Sequence, residues 1–295
     1  MKKKTAWIIA VLFFLFLCVG GIGFVGFWLV LSAGGDWPEA NGDIAVVEVK
    51  GPIFESASIN EKLEKYRKND SVKAVVLRVD SPGGSVGASQ EIYTEVKKLA
   101  QKKKVIVSMG AVAASGGYYI AAPATKIVAN PGTITGSIGV LMDHVEVDDL
   151  LKWAKISAEI LKAGQLKDIG SSLRKMTPED RAVLQGLLDN MHEQFIQAVA
   201  EGRKLPVEDV RKIATGRVYT GQQAMDLKLI DQYGDLEDAI DVAAKEVGIK
   251  GEPKVIKPQK HKSFMDLMMG KDTEERVQAL LGSLITPKAM YWMAL

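Results

Sequence analysis

The sequence is poor in the two residue types that most often carry metal or redox chemistry. It contains a single cysteine, Cys18, so no intramolecular disulfide can form and a Cys-rich metal site is excluded. Cys18 also lies within a long apolar run, which argues against cysteine-based catalysis. Only three histidines are present, His144, His192 and His261. We expect neither a metal ion nor a cofactor.

The sequence also lacks a strong excess of charge of either sign. Its formal net charge is +2 at pH 7, and three of its basic residues are the N-terminal Lys2, Lys3 and Lys4. The remainder carries one more acidic than basic residue, so we expect no nucleic-acid partner. A content of 47% hydrophobic and 25% charged residues is sufficient for one large folded domain with appendages.

A long uncharged run near the N-terminus predicts a membrane anchor. Residues Ala6–Leu31 form 26 uncharged positions. As a helix this run would be about 39 Å long, enough to span a bilayer core of about 30 Å. A cleaved signal peptide is the alternative, but its apolar region would be shorter, roughly 7 to 15 residues. Lysines before the run and Asp36 and Glu39 after it favour a cytoplasmic N-terminus. We predict a single-pass cell-membrane protein with an extracytoplasmic folded domain.

The rest of the chain divides into a linker, one folded domain and a tail. We predict an anchor region over residues 1–33, a linker over 34–43, a folded domain over 44–250 and a tail over 251–295. From Ile44 onward, strand-like and helix-like segments alternate. The strand-like segments are "IAVVEVKGPI", "VKAVVLRVD", "KVIVSMG" and "KIVAN", separated by "SINEKLEKYRKND", "SVGASQEIYTEVKKLAQ" and "ASGGYYIAAP". This alternation predicts an α/β fold with a parallel sheet covered by helices on both faces.

A long amphipathic helix is predicted to follow. Thr177 is suited to its N-cap and Pro178 to its first position. One stripe of this helix is apolar, formed by Leu184, Leu187, Leu188, Met191, Phe195 and Val199. We expect the stripe to pack against the core or against another subunit.

Two glycine-containing turns are candidates for a catalytic site. In "DSPGGSVGAS", a strand ends at Asp80 and a helix opens after Gly83 and Gly84, so backbone N–H groups can point at an anion. In "AASGGYY", Ser115 also follows a strand, and Gly116 offers another N–H group. Two such turns on adjacent parallel strands could place a nucleophile and an oxyanion hole at one sheet edge. The alternative is that both turns serve only close packing.

A nucleophilic serine needs a base. His144, which lies 29 residues after Ser115, is one candidate. The other is Lys167 in "KAGQLKDIGS", which follows a strand-like run and lies in a glycine-containing loop. A lysine acts as a base only when neutral, which burial away from carboxylates favours. Asp168 could oppose this, although neighbouring residues on a strand point to opposite faces.

Four motifs together resemble the signal peptide peptidase A family in its short membrane-anchored form. They are "DSPGGSVGAS", "AVAASGGYYIAAPATKIVANPGTITGSIGV", "LKAGQLKDIGS" with "MTPED", and "GRVYTGQQAMDLKLIDQYGDLEDAI". The resemblance implies a crotonase/ClpP-like fold with a repeated ββα core and a Ser/Lys dyad. Ser115 falls on the nucleophile and Lys167 on the general base. Ser137 falls on the serine that orients the lysine, and Gly83 and Gly116 fall on the oxyanion hole.

The same resemblance implies substrates and an assembly. Members cleave apolar peptides, including remnants of signal peptides, in or near the membrane. They form homo-oligomeric rings, often octamers, in which Ser115 and Lys167 of one site would come from adjacent protomers. The apolar C-terminal segment "LITPKAMYWMAL" is expected to occupy or be trimmed by the active site, or to pack between subunits. Two alternatives remain: a ClpP-like peptidase using Ser115 and His144, and a non-catalytic crotonase-type membrane scaffold.

Overall fold

The computed structural model describes residues 42–257. The predicted membrane span, most of the predicted linker and the apolar C-terminal segment lie outside the described residues. Within residues 42–257, no helix is long and apolar enough to cross a membrane.

From Ile44 to Ala129, strands and helices alternate in the order that the sequence predicts. The strands are β1 (Ile44–Lys50), β2 (Ala74–Ser81), β3 (Lys104–Ala114), β4 (Lys126–Ala129), β5 (Ile134–Gly136), β6 (Val218–Thr220), β7 (Gln232–Tyr233) and β8 (Val255–Ile256). The helices are α1 (Ala57–Lys68), α2 (Val86–Ala100), α3 (Gly116–Ala121), α4 (Asp148–Trp153), α5 (Pro178–Arg203), α6 (Val207–Ile213), α7 (Gly221–Asp226) and α8 (Leu236–Glu246).

All eight strands belong to one sheet, and its long central strand is β3. The main order is β6-β5-β3-β2-β1-β8, while β4 pairs with β3 and β7. Every pairing is parallel except that of β5 with β6. The first half of β3 pairs with β4 through Ile106–Ser108, and its last residues, Val112–Ala114, pair with β5. β3 therefore changes neighbours along its length.

Strand β2 has apolar residues on both faces because helices cover both sides of the sheet. Val75, Leu77 and Val79 belong to a large apolar cluster that includes α1, α2, α3 and α5. Ala74 and Val76 belong to a second cluster formed with α8. A strand buried on both faces shows no polar alternation. The predicted α/β architecture with a covered parallel sheet is confirmed.

A bulge in β3 separates its two halves. Val79 of β2 pairs with Met109, but Ser81 pairs with Ala113, so the strand register shifts between them. The side chain of Asp80 fills this irregularity, and its Oδ1 accepts a hydrogen bond from the Val112 N–H at 3.1 Å. A bulge bends a strand locally. Here it precedes the last residues of β3, which lead directly to Ser115.

The strand-like run before Lys167 does not form a strand. In the described chain, residues 154–177 consist of turns and irregular segments. A strand requires a paired neighbour, and most of these residues are exposed. The following helix begins as predicted: Thr177 and Asp180 form a reciprocal capping box, with Pro178 in the first turn. The predicted apolar stripe is buried only towards the end of α5, at Phe195 and Val199.

Candidate active site

Ser115 lies at the junction of β3 and α3 in a strained backbone conformation. Its φ is 52° and its ψ is −120°, and only 3% of the residue is exposed. Its N–H donates to the Gly136 carbonyl at 2.8 Å, and its own carbonyl accepts from the Tyr119 N–H at 2.8 Å. Positive φ at a non-glycine residue costs about 1–3 kcal/mol and persists only where the surroundings impose it. The hydrogen bonds on both sides provide that constraint.

The two glycine turns meet at Ser115, as the sequence predicts. A Cβ added to Gly83 would lie 2.6 Å from the Gly116 nitrogen and 2.9 Å from the Ser115 Cβ. A Cβ added to Gly116 would lie 2.5 Å from the Ser89 Oγ and 3.2 Å from the Gly84 nitrogen. Gly83 also has a φ of +102°, which L side chains rarely adopt. Only glycine allows this close approach.

The candidate oxyanion donors differ in their surroundings. Gly116 is the first residue of α3, so its N–H has no acceptor within the helix. The Gly83 N–H donates to the Ser81 Oγ at 3.1 Å. An oxyanion at Gly83 would therefore share or replace this hydroxyl acceptor. The sequence did not lead us to predict the hydrogen bond from Gly83 to Ser81. A serine side chain that accepts from the backbone N–H two residues later is nevertheless a known local pattern.

Ser137 lies close to Ser115 in the sheet because β3 and β5 are parallel neighbours. Ala114 pairs with Gly136, so each serine directly follows one of two paired residues. Ser137 has a φ of 52°, and its N–H donates to the Arg217 carbonyl at 2.9 Å. The half-buried Ser137 is thus held at the same sheet edge as Ser115.

A small apolar cavity of about 20 Å³ adjoins Ser115. Its walls come from both glycine turns, α2, α3, α5 and the segment after Ser137: Gly84, Val86, Ser89, Ser115, Gly116, Tyr119, Gly139, Val140, Met191 and Phe195. The Tyr119 ring packs against Phe195 with 4.7 Å between ring centres. Burial raises the pKa of the Tyr119 hydroxyl, so this side chain stays neutral. The cavity suits a small apolar group beside the serine.

Lys167 is not brought to Ser115 within this chain. It is exposed, its N–H donates to the Gly164 carbonyl at 3.2 Å, and it does not line the cavity beside Ser115. The carboxylate of its neighbour Asp168 forms ion pairs with two other residues. Arg174 Nε lies 2.7 Å from Oδ2, and Lys162 Nζ lies 2.5 Å from Oδ1. These cations, Arg174 first, hold the pKa of Asp168 well below its usual range. Arg174 also pairs with Asp180 at the start of α5.

His144 is also separate from Ser115. Its Nε2 is buried without a hydrogen-bond partner and lies 3.9 Å from the Glu146 Oε1. It lines a different cavity together with Met176 and Leu188. The alternative base therefore does not reach the serine in this chain.

An unusual concentration of apolar side chains is exposed between residues 141 and 187, here called the apolar segment. It contains eleven of the thirteen exposed large hydrophobic residues in the described chain: Leu141, Met142, Val145, Leu150, Trp153, Ile156, Ile160, Leu161, Leu173, Val183 and Leu187. Trp153 is 82% exposed and Leu161 is 89% exposed. Such a concentration of exposed apolar side chains in one segment is typical of an interaction surface. Lys167 lies within this segment.

Comparison with family models and with known proteins gives consistent results. A model described as peptidase family S49 matches residues 97–250, and a Clp protease model matches residues 46–133. A Synechocystis sp. protein named as a protease is 45% identical over 208 residues, covering 70% of this chain and 75% of its own. An Enterococcus faecium protein named as a signal peptide peptidase, SppA, is 34% identical, covering 78% of this chain and 71% of its own.

Longer relatives and one solved structure also match. Protease 4 of Salmonella typhi is 37% identical over 222 residues, covering 72% of this chain but only 36% of its own length. The structure is a serine-to-alanine mutant of a membrane-bound stomatin-specific protease, with a TM-score of 0.51 and 18% identity. It covers 75% of this chain and 99% of its own. At that identity the likeness supports the ClpP-like α/β fold alone.

Proposed function

The chain belongs to peptidase family S49 and is a serine peptidase, and we propose that it hydrolyses apolar peptides, including remnants of signal peptides, with Ser115 as nucleophile and Lys167 as base. The signal-peptide substrate follows from the motif resemblance and from the name of the Enterococcus faecium relative. The positions of Ser115 and Lys167 in the resembling motifs support the two-residue mechanism.

One observation carries the assignment of the nucleophile. Ser115 ends the central strand in a strained conformation, with the Gly83 turn against its own backbone and an apolar cavity beside it. Packing alone gives no reason to place a hydroxyl at that strained junction. A peptide carbonyl positioned over Ser115 would be near the N–H groups of Gly116 and Gly83.

The proposed first step is acyl transfer. Neutral Lys167 removes the proton from the Ser115 hydroxyl as its oxygen attacks the peptide carbonyl carbon. The carbonyl oxygen becomes negatively charged and is stabilised by the Gly83 and Gly116 N–H groups. The lysine ammonium then gives its proton to the leaving amine as the C–N bond breaks. The product is an ester between the peptide and Ser115.

The second step hydrolyses that ester. Lys167, neutral again, removes a proton from water, and the resulting hydroxide attacks the ester carbonyl in the same oxyanion hole. The proton returns to the Ser115 oxygen as the acyl group leaves. Ser137 is proposed to accept a hydrogen bond from the Lys167 amine and so to fix the direction of the lone pair on the Lys167 nitrogen.

We propose that Lys167 reaches Ser115 from an adjacent protomer in a homo-oligomeric ring, an octamer by resemblance. The apolar segment, which carries Lys167, supports this because its side chains need a covering surface. Burial by a neighbouring copy would also withdraw the lysine from water and favour its neutral form.

The membrane location completes the proposal. Residues 1–33 are proposed to hold an N-terminal transmembrane anchor, 34–43 a linker, 44–250 the peptidase domain with repeated ββα units, and 251–295 a tail. The domain is placed outside the cytoplasm. Such a tether would hold the peptidase where apolar peptides leave the membrane.

The test is peptidase activity of the full chain in detergent on an apolar fluorogenic peptide. Ser115→Ala and Lys167→Ala are each expected to lose activity, whereas His144→Ala retains it. The wild-type rate is expected to rise between about pH 6 and 10 as the base becomes neutral. Activity in Lys167→Ala together with loss in His144→Ala would replace the dyad by the Ser115/His144 alternative. Activity in none of the proteins, including wild type, would favour the scaffold.

A further inference from the structure

The edge at which the strands begin carries a large basic groove, opposite the edge that holds Ser115. The groove has a volume of about 780 Å³ and is lined by seven lysines and arginines but only three carboxylates. The basic residues come from the loop before β2, the end of α2, the start of β3 and the end of α5: Lys73, Lys97, Lys102, Lys103, Lys104, Arg203 and Lys204. Its surface charge is therefore positive.

The three carboxylates of the groove are already neutralised by individual cations. Glu201 pairs with Lys97 at 2.6 Å, and Asp231 pairs with Arg203 at 2.6 Å. Glu246 pairs with Lys126 at 2.7 Å and with Lys104 at 3.5 Å. In residues 42–257, no carboxylate lies within ion-pair distance of Lys102 or Lys204, and both are exposed. These two charges remain available to an external partner.

Compensation of helix dipoles explains only part of this charge. Lys103 donates to the carbonyls of Tyr66 and Asn69 at the end of α1, which is a capping role. Lys102 and Lys204 follow the ends of α2 and α5, where positive charge is also favourable. However, Lys204 occupies a left-handed backbone position, φ 54°, at which glycine would be less strained. Dipole compensation does not require an exposed lysine at that position.

The chain enters the domain at this same edge. The Lys73 N–H donates to the Asp43 carbonyl at 2.7 Å, and the Lys73 Nζ pairs with the Asp43 carboxylate at 3.0 Å. Only ten residues separate the predicted membrane span Ala6–Leu31 from residue 42. Ten residues reach at most about 35 Å. A tethered domain would therefore keep this edge within reach of lipid headgroups.

We propose that the basic groove seats the domain on an anionic lipid surface. The proposal rests on the membrane anchor of the proposed function. Each lysine near an anionic bilayer strengthens association by about fivefold, within roughly one Debye length of the surface. The tether raises the local concentration of lipid, so two or three such charges suffice to bias the domain's orientation.

Lysine acylation tests the contact between the basic groove and the lipid surface directly. The full chain is reconstituted in vesicles of phosphatidylcholine alone or with roughly 30% phosphatidylglycerol, and acylation by a water-soluble reagent is followed by peptide mass spectrometry. Lys102 and Lys204 are expected to react at least about threefold more slowly in the anionic vesicles, and about 0.5 M salt should abolish the difference. Lys50, exposed at the opposite end of β1, serves as the internal control and should react equally in both.

Each other outcome has a distinct meaning. Equal acylation of Lys102 in both vesicle types overturns the seat, and protection by free inorganic phosphate without vesicles replaces the lipid surface by a soluble anion. Flotation tests the anchor and the lipid contact of the groove separately. Flotation with neutral vesicles supports the anchor, whereas flotation with anionic vesicles alone supports the lipid contact without the anchor. Flotation with neither vesicle type overturns both. In the single variant K102E the protection of Lys204 should weaken, and in K204E that of Lys102 should weaken. Both variants should retain peptidase activity in detergent, which is measured independently of lipid.

Discussion

Arg174 contacts both oxygens of the Asp168 carboxylate, with Nε 2.7 Å from Oδ2 and Nη2 3.0 Å from Oδ1. Asp168 is the sequence neighbour of Lys167. Because Arg174 and Lys162 occupy its oxygens, Asp168 is not available to Lys167. In residues 42–257, Lys167 has no carboxylate within ion-pair distance.

The Asp168 to Arg174 pair should make stability depend on acid pH. In the folded protein the pKa of Asp168 is depressed, first by Arg174 and then by Lys162. The pair therefore stabilises the fold fully above the ordinary aspartate pKa of about 3.9. The stabilisation is lost as pH falls below that value. We expect Arg174→Gln to lower Tm by a few degrees at about pH 7, with the difference shrinking below about pH 4. Lys175→Gln, which removes the ion pair with the exposed Asp149, is the matched control. It should show the same trend only weakly, because water screens that pair.

Gly83→Ala should strongly lower kcat. Its Cβ would meet the Gly116 nitrogen at 2.6 Å, so the two turns must separate and the oxyanion donors diverge. Loss of an oxyanion donor lowers kcat by about 100-fold or more. Gly87→Ala, in open space on α2, should keep activity and stabilise the helix by about 0.5–1 kcal/mol. Retention of wild-type kcat in Gly83→Ala with a normal Tm would remove Gly83 from the oxyanion hole.

Asp80 is expected to act as a positioning residue. Asp80→Ala leaves the Val112 N–H without its acceptor at the bulge, which should cost about 1–3 kcal/mol of unfolding free energy. A displaced Ser115 should lower kcat about tenfold or more with little change in KM. Asp80→Asn keeps a side-chain oxygen and should restore most of kcat. If Asp80→Ala loses stability but keeps kcat, Asp80 serves the fold alone.

Local sequence patterns were sufficient to predict the elements that place Ser115. The buried run of β2, the glycine turn after it and the capping of α5 by Thr177 each depend on neighbours close in sequence. These features were confirmed in position and type. The bulge at Asp80 and the Ser81 contact with Gly83 were missed, because both depend on how β2 and β3 are aligned.

The segment around Lys167 shows where sequence patterns are insufficient. Its apolar residues, and Leu184 and Leu187 on α5, look like core residues in the sequence. In the described chain much of this surface is exposed instead. An apolar stripe does not specify whether its partner belongs to the same chain or to another copy. The strand-like run before Lys167 likewise has no neighbouring strand in the described chain with which to pair.

Mixing two inactive variants tests whether the site is shared between protomers. Ser115→Ala and Lys167→Ala chains are dissociated, combined in equal amounts and reassembled. In a ring where each site takes one residue from each of two neighbours, about a quarter of the sites should be intact, so activity should return to about a quarter of wild type. Each variant reassembled alone is the control. No recovery, in mixtures shown by sedimentation to have reassembled, would place both residues in one chain.

With the basic groove on the lipid surface as proposed, the length of strand β3 would limit which peptides can be cut. It runs from Lys104, in the basic groove, to Ala114, next to Ser115, and its eleven residues extend for about 35 Å. With the groove on the lipid surface, Ser115 would stand about that far from the headgroups. A peptide still embedded at one end would need roughly ten extended residues outside the bilayer to reach the serine. The length of one strand would thus spare intact membrane spans with short flanks and admit peptides that have already left the bilayer.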